Sequence, residues 1–369
     1  MSMRCSRIDE ACDGADFNQS RTSTKADCST LWPVTSLLRS FMDHLQQSRL
    51  NLLTSHMLDR SALLRLDPAV IAERAAGERA RFIGIHHLRI AVDEANPRYP
   101  AWLTPQEVKD RFGKCEPSVY LGEEDNTSYF ALLLDHDLPK TTEGFAGLRT
   151  LAQEVSNAQA TLLSYAQAMA AWHHRYRFCS RCGSATHIDQ GGHIRLCGEA
   201  QCGEIHYPRT DPAIIVLVQR GDRALFGRKP EWPSNRYSTI AGFVEPGESA
   251  EQAVVREVAE ETGIDVTAAR YHSSQPWPFP GSLMLGYHAE AGNDQISLND
   301  HELEDALWLS REEIAARMDQ GIFFPPPAIS ISFRLIEDWF DQDASYSSQE
   351  SSSPFTLRAM CQKSGVETF

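Results

Sequence analysis

No run of about 18 consecutive apolar residues occurs anywhere in this 369-residue sequence, so no membrane-spanning helix is expected. The opening "MSMRCSRIDEACDGADFNQS" has no apolar core of the secretory kind, so a secreted protein is not expected. Basic residues are scarce: 35 Lys and Arg face 50 Asp and Glu, for a formal charge of −15. That balance argues against bulk, non-specific nucleic-acid binding and leaves room only for a local basic patch. An even set of cysteines is also missing. There are nine, and four fall in one cluster. A reduced compartment with a metal site suits that pattern better than a disulfide framework. No internal repeat is visible, and the 42% hydrophobic content is ordinary for a globular protein of two or more domains.

Composition divides the chain. Residues 1–45 are polar and weakly periodic and read as a disordered tail, with Leu31 to Met42 offering one short helix. Residues 46–170 read as a β-rich domain, with strands in "RARFIGIHHLRIAV" and "SVYLGEEDNTSYFALLL" and then one or two amphipathic helices. A cysteine-rich segment occupies 171–205. In the domain over 206–340, "DPAIIVLVQRGDRALFGRKP" gives two strands around a Gly-Asp turn, and "PPPAISISFRLIEDWF" closes the fold. The Ser-rich segment 341–369 reads as a flexible tail.

The chemistry concentrates in "REVAEETGI", residues 256–264. Ser249 and Gln252 form a capping box, Ala250, Val254 and Val258 share an apolar face, and Gly263 sits where a left-handed cap belongs. Glu257, Glu260 and Glu261 therefore project together from the polar side, where they repel unless a cation sits among them. A solvated acidic face is the bland alternative. It leaves the preceding Gly- and Pro-containing loop, Arg256 and the cap unexplained. Hard oxygen ligands of this kind select Mg²⁺ or Mn²⁺.

From Gly242 to Ile264 the spacing is G-x5-E-x7-R-E-U-x-E-E-x-G-U, U being apolar, which resembles the defining box of Nudix hydrolases. Seven fixed residues at about 6% frequency each make a chance match of order 10⁻⁹ per starting point. The resemblance implies hydrolysis of a nucleoside diphosphate linked to another group. It implies Glu257 and Glu261 as leading metal ligands with Glu260 beside them, Ala241 and Glu302 as further metal positions, and Arg256 paired with Glu248. Glu257, Glu260 and Glu261 form the catalytic set, and the general base stays open between Glu260 and Glu261.

Downstream, "SQPWPFPGSLM" interleaves three prolines with Trp277 and Phe279, which predicts a rigid extended loop and not a central strand. Taken alone it could equally clamp the core. Beside the box it resembles the S-Q-P-W-P-F-P-x-S array of NADH pyrophosphatases, here Ser274, Gln275, Pro276, Trp277, Pro278, Phe279, Pro280, Gly281 and Ser282. The array suits a dinucleotide whose flat rings stack while Gln275 reads an edge. "HYPRTDPAII" resembles the same family's entry into its Nudix domain. By resemblance Tyr207, Phe243, Ser332 and Arg149 also contact substrate, Ser332 through its backbone.

Cys179-x2-Cys182-x14-Cys197-x4-Cys202 has zinc-ribbon spacing. Four sulfurs fill a tetrahedral shell, so the Zn²⁺ is expected to be structural, with two disulfides as the alternative. Cys5, Cys12, Cys28, Cys115 and Cys361 lack metal spacing and are expected free. His173 and His174, adjacent on a helix, point apart and are not paired ligands. Pro325 to Pro327 set a loop. The resemblance implies an α+β multidomain protein, a Nudix α/β/α sandwich preceded by a zinc ribbon and an N-terminal β-rich domain. It would be a homodimer that cleaves NADH, with NAD⁺ secondary, to reduced NMN and AMP. Removal of an NAD cap from RNA and nucleotide sensing without catalysis are the alternatives. Cytoplasm is the expected location. A peroxisomal one would need a signal that "ETF" does not supply and "RLNLLTSHM" only approximates.

Overall fold

The structure, a computed structural model, describes residues 43–54, 58–113, 119–134, 143–299, 302–341 and 356–363. The helix expected over 31–42 and Cys5, Cys12, Cys28 and Cys115 lie outside these residues, as does most of the tail expected over 1–45.

The first body runs through α1 (His44–Leu50), α2 (Pro68–Ala76), β1 (Ala80–His86), β2 (Arg89–Ala91), α3 (Pro105–Phe112), β3 (Val119–Glu124), β4 (Thr127–Leu133), β5 (Phe145–Ala146), α4 (Leu148–Glu154) and α5 (Asn157–Arg175). Its helices start where sequence allows: Asp67 caps α2, Ser156 caps α5, and Thr104 forms a capping box with Glu107 at α3. The strands order as β3-β4-β1-β2-β5, with β1 and β4 parallel. Side chains alternate across this sheet. Ile83, Ile85 and Ala131 pack on Leu151 and Leu163 of α4 and α5, while Phe82 and Phe130 face Ile71 and Val108 of α2 and α3.

A small antiparallel ribbon follows, β6 (Thr186–Asp189), β7 (Ile194–Cys197) and β8 (Ile205–His206). Buried histidines fasten it. His173 of α5 donates from Nε2 to Gly192 O (2.8 Å), and Arg195 reaches His173 Nδ1 (3.0 Å) and Thr186 Oγ1 (2.7 Å). His193 donates to Tyr120 O of β3 (2.8 Å). Burial leads in depressing both histidines to about 4, so both are neutral at pH 7.

The last body contains β9 (Asp211–Arg220), β10 (Arg223–Arg228), β11 (Ile240–Phe243), α6 (Ala250–Thr262), β12 (Val266–Trp277), β13 (Ser282–Ala291), β14 (Asp305–Ser310), α7 (Arg311–Asp319), α8 (Ile331–Asp341) and α9 (Leu357–Lys363). The sheet orders as β12-β13-β9-β10-β14, with β11 also pairing β9 and with β9 and β13 parallel. β9 is apolar almost throughout because both its faces are covered. Ile214, Val216 and Val218 pack with Ala253, Val254 and Val258 of α6, whereas Ile215 and Leu217 pack with Ile331, Leu335 and Ile336 of α8. This is an α/β/α sandwich.

Two expectations need correcting. Part of the C-terminal segment read as a flexible tail is helical: in α9, Leu357, Met360 and Cys361 are buried in the core beside α8, and Arg358 binds Glu337 at 2.9 Å. The proline array, expected to be a rigid extended loop, is loop only over 278–281. Ser274–Trp277 completes β12, with Pro276 opposite Leu283, and because β12 is an edge strand the missing proline N–H costs no ladder bond on the sheet's open side. α1 packs on β12, where Asn51 Nδ2 donates to Ser273 Oγ (3.0 Å) and Ser274 O (2.9 Å).

Candidate active site

Helix α6 forms as its sequence dictates. The Ser249–Gln252 box closes its start and Gly263, at φ 69°, its end. The glycine at the start of the box has a steric reason: a Cβ on Gly242 would lie 1.9–2.2 Å from the Glu257 carboxylate. β11 can therefore run directly against the acidic face of α6.

Arg256 is the hub of this face. Its guanidinium donates to Glu248 (2.6 and 3.1 Å), Glu257 Oε1 (3.0 Å), Glu260 Oε2 (2.9 Å) and Phe243 O (2.8 Å). The expected Arg256–Glu248 pair is present, and the bonds from Arg256 and from Glu245 N–H hold Glu248 below the usual carboxylate range. Glu257 is different. Burial raises its carboxyl above the ordinary value, Arg256 opposes the rise, and Glu260 and Glu302 add to it. Glu261 is 2% exposed, whereas the Glu260 side chain is 53% exposed. Across the site, Lys229 Nζ, just past β10, donates to Glu302 Oε2 at 3.0 Å. Burial opposes the Lys229 charge, but Glu302, Glu261 and Glu231 outweigh it and raise its pKa.

A cavity of about 220 Å³ opens here, and Ala241, Glu261, Lys229 and Trp277 are among its walls. Box and proline array thus meet at one cavity. Trp277 and Phe279 stand edge to face at 4.9 Å and pack partly into the N-terminal core. The Arg149 guanidinium lies over both rings, 4.0 Å from Phe279 and 5.6 Å from Trp277, as a cation–π contact. Pro278 O accepts from Gln167 of α5 (2.7 Å), and Pro280, Gly281 and Ser282 line a separate cleft of about 150 Å³ with Trp172 and Arg209.

Gln275 is turned inward. It is fully buried, donating to Leu52 O and Ile329 O and accepting from Ile331 N, all at 2.8 Å, so its amide joins three backbone segments in place of reading a base edge. Ser332 is likewise buried, and its hydroxyl holds Thr239 Oγ1 (2.8 Å) and Ser238 Oγ (2.9 Å), both residues lining the cavity. Tyr207 and Phe243 stand apart, each 59% exposed. Sequence reading missed Lys229, Trp232, Ser238 and Thr239. None of them carries a spacing signal, and only the folded sheet places them beside α6.

The four cysteines form a second centre. Their sulfurs all lie within 4.8 Å of one another, and no other such group of three or more metal-binding side chains occurs among the described residues. No disulfide joins them: Cys182 and Cys197 are 3.4 Å apart and Cys179 and Cys202 3.9 Å. The backbone N–H and hydroxyl of Ser184 hold Cys182 below the usual thiol range, at about 6. A soft sulfur quartet fits Zn²⁺, while the carboxylates of Glu257, Glu260, Glu261 and Glu302, with Glu257 and Glu261 withdrawn from solvent, fit a hard divalent ion.

Comparison with known proteins agrees with both centres. The NUDIX domain family matches residues 208–325, the NADH pyrophosphatase zinc ribbon domain 174–207, and the NADH pyrophosphatase-like rudimentary NUDIX domain 79–172. The human NAD(P)H pyrophosphatase NUDT13, mitochondrial, is 34% identical over 79% of this chain and 93% of its own length. The chain belongs to the NADH pyrophosphatase family of Nudix hydrolases. Within that family, the NAD-capped RNA hydrolase NudC of Stutzerimonas stutzeri is 44% identical over 53% of this chain and 70% of its own. The human NAD-capped RNA hydrolase NUDT12 is 37% identical over 63% of this chain, which spans about half, 54%, of that relative's length. The rudimentary Nudix match gives a context for the first sheet, which like the second is built around a parallel strand pair. Among the described residues no helix is long and apolar enough to cross a membrane.

Proposed function

We propose that this protein hydrolyses the diphosphate bond of NADH, and more slowly of NAD⁺, to reduced NMN or NMN and AMP. The observation that carries this reading is the shared cavity in which Glu261 of the Nudix box and Ala241 just before it meet Trp277 of the proline array. Glu257, Glu260, Glu261 and Glu302 would hold Mg²⁺ or Mn²⁺, which supplies neutralisation of the diphosphate and a lower pKa for bound water. Arg256 keeps Glu257 and Glu260 in place. Glu261 lines the cavity and Glu260 does not, so Glu261 is the better placed of the two candidate bases. Trp277, which lines the cavity, offers an aromatic edge for a ring, and Arg149 over it and Phe279 offers a charge for the linkage.

The exposed Tyr207 and Phe243 support a homodimer in which a second copy covers them and completes the pocket. Free thiols in a zinc-type quartet support a reducing compartment, for which cytoplasm is the reading. The relatives named for NAD-capped RNA support a second reading, the same bond cleaved on an RNA end. The test is product analysis with NADH, NAD⁺ and NAD-capped RNA, each with Mg²⁺ or Mn²⁺. NADH leading in kcat/KM is the expected result. Capped RNA in the lead would establish the second reading, and tight NADH binding without turnover of any substrate would overturn both.

A further inference from the structure

The cavity contains one cation that the metal chemistry does not require. Lys229 follows directly on β10, its side chain is 36% exposed, and its ammonium lies 3.0 Å from a carboxylate oxygen of Glu302, one of the four proposed ion ligands. It also lines the cavity shared by Glu261 and Trp277. On the opposite side Arg256 holds Glu257 and Glu260, so a carboxylate cluster that would otherwise repel itself is neutralised from two directions. The two cations are not equivalent. Arg256 forms five bonds and is anchored by Glu248 and by a backbone carbonyl. Lys229 has a flexible four-carbon stem and a point charge, able to change partners by rotation alone.

We infer that Lys229 is an exchangeable counter-cation of this site, which competes with the divalent ion for Glu302 and, once displaced, turns its ammonium to the anionic diphosphate of the substrate. It rests on the proposed function, its first half on Glu302 as an ion ligand and its second on the hydrolysis. The ammonium already sits 3.0 Å from Glu302 Oε2, where a divalent ion on that carboxylate would meet a like charge, and Lys229 lines the cavity, so a displaced ammonium stays beside it.

The test begins without substrate. Mn²⁺ alone is titrated into wild type, Lys229→Met and Lys229→Arg, and free ion is read by electron paramagnetic resonance. Removing a competing, partly exposed ion pair should tighten Mn²⁺ binding in Lys229→Met about two- to fivefold, with Lys229→Arg close to wild type. At saturating Mn²⁺, Lys229→Met should raise KM for NADH several-fold with kcat little changed, the pattern of lost uniform binding. Unchanged or weaker Mn²⁺ binding in a Lys229→Met protein that melts like wild type would overturn the inference. So would an unchanged KM, which would leave the lysine no contact with substrate. Failure of wild type itself to bind Mn²⁺ or to cleave NADH would instead strike the proposed function, so the two failures are told apart.

Discussion

The chain carries one compact quartet of cysteines and one looser group of carboxylates, and they are built in opposite ways. The cysteine sulfurs lie within 4.8 Å of one another on a small ribbon, ready for an ion that fills every position. The glutamates sit on one helix and one distant loop, and protein cations hold them: Arg256 on Glu257 and Glu260, Lys229 on Glu302. The first arrangement is closed and binds the ribbon's own strands together. The second is open to a cavity, and its charges are balanced provisionally. A centre that stabilises a fold can be closed; one that meets a substrate has to leave room for it.

This contrast can be broken at either end. The largest effect is expected from Cys197→Ser, because structural zinc in small domains contributes about 10–16 kcal/mol, comparable with a whole domain's stability. Zinc content by atomic absorption should fall and the ribbon should lose its protection in hydrogen exchange. A full zinc complement in that variant would refute the quartet. Next comes Glu261→Gln, expected to lower kcat on the order of 10²- to 10³-fold, the scale for removing one electrostatic element of an active site. Its melting temperature should hardly move, and near-normal turnover would deny Glu261 its role.

Gly242→Ala joins the two effects on a smaller scale. The new methyl would occupy the position of the Glu257 carboxylate, and displacing it should cost about 1–3 kcal/mol of stability as overpacking does. Hydrolysis should fall with it, and a wild-type denaturation midpoint together with full activity would contradict the close approach. The smallest effect concerns acid. His173 and His193 titrate at about 4 in the fold against about 6.5 when unfolded, so the unfolded chain binds more protons between these values. Stability is fully present above about pH 6.5 and declines as pH falls towards 4. Calorimetry from pH 7.5 to 5 should show that decline, and His173→Gln should flatten part of it.

Much of the site was legible because it is local. The Ser249–Gln252 box, the Gly263 cap and the spacing of the glutamates all lie within one short segment, where helix geometry alone fixes which side chains are neighbours. α9 was legible in principle, since Leu357, Met360 and Cys361 have helical spacing, but the Ser-rich stretch before it dominated the composition. The proline array was read as two aromatics on a rigid extended loop, whereas its first four residues continue an edge strand and only 278–281 form the turn. Its position on an edge strand, and the burial of Gln275 against Leu52 and Ile329, depend on segments far away in the chain.

By itself, then, the sequence determined the carboxylate helix, the cysteine spacing and the succession of domains, because each is set by periodicity or spacing along the chain. Only the tertiary structure decided that Gln275 and Ser332 are buried, that Arg149 lies over Trp277 and Phe279, and that Lys229 pairs with Glu302. Those contacts join residues brought together when both faces of the β9 sheet are covered and the chain closes around it. Packing of that kind, between distant segments, leaves no periodic trace in the sequence.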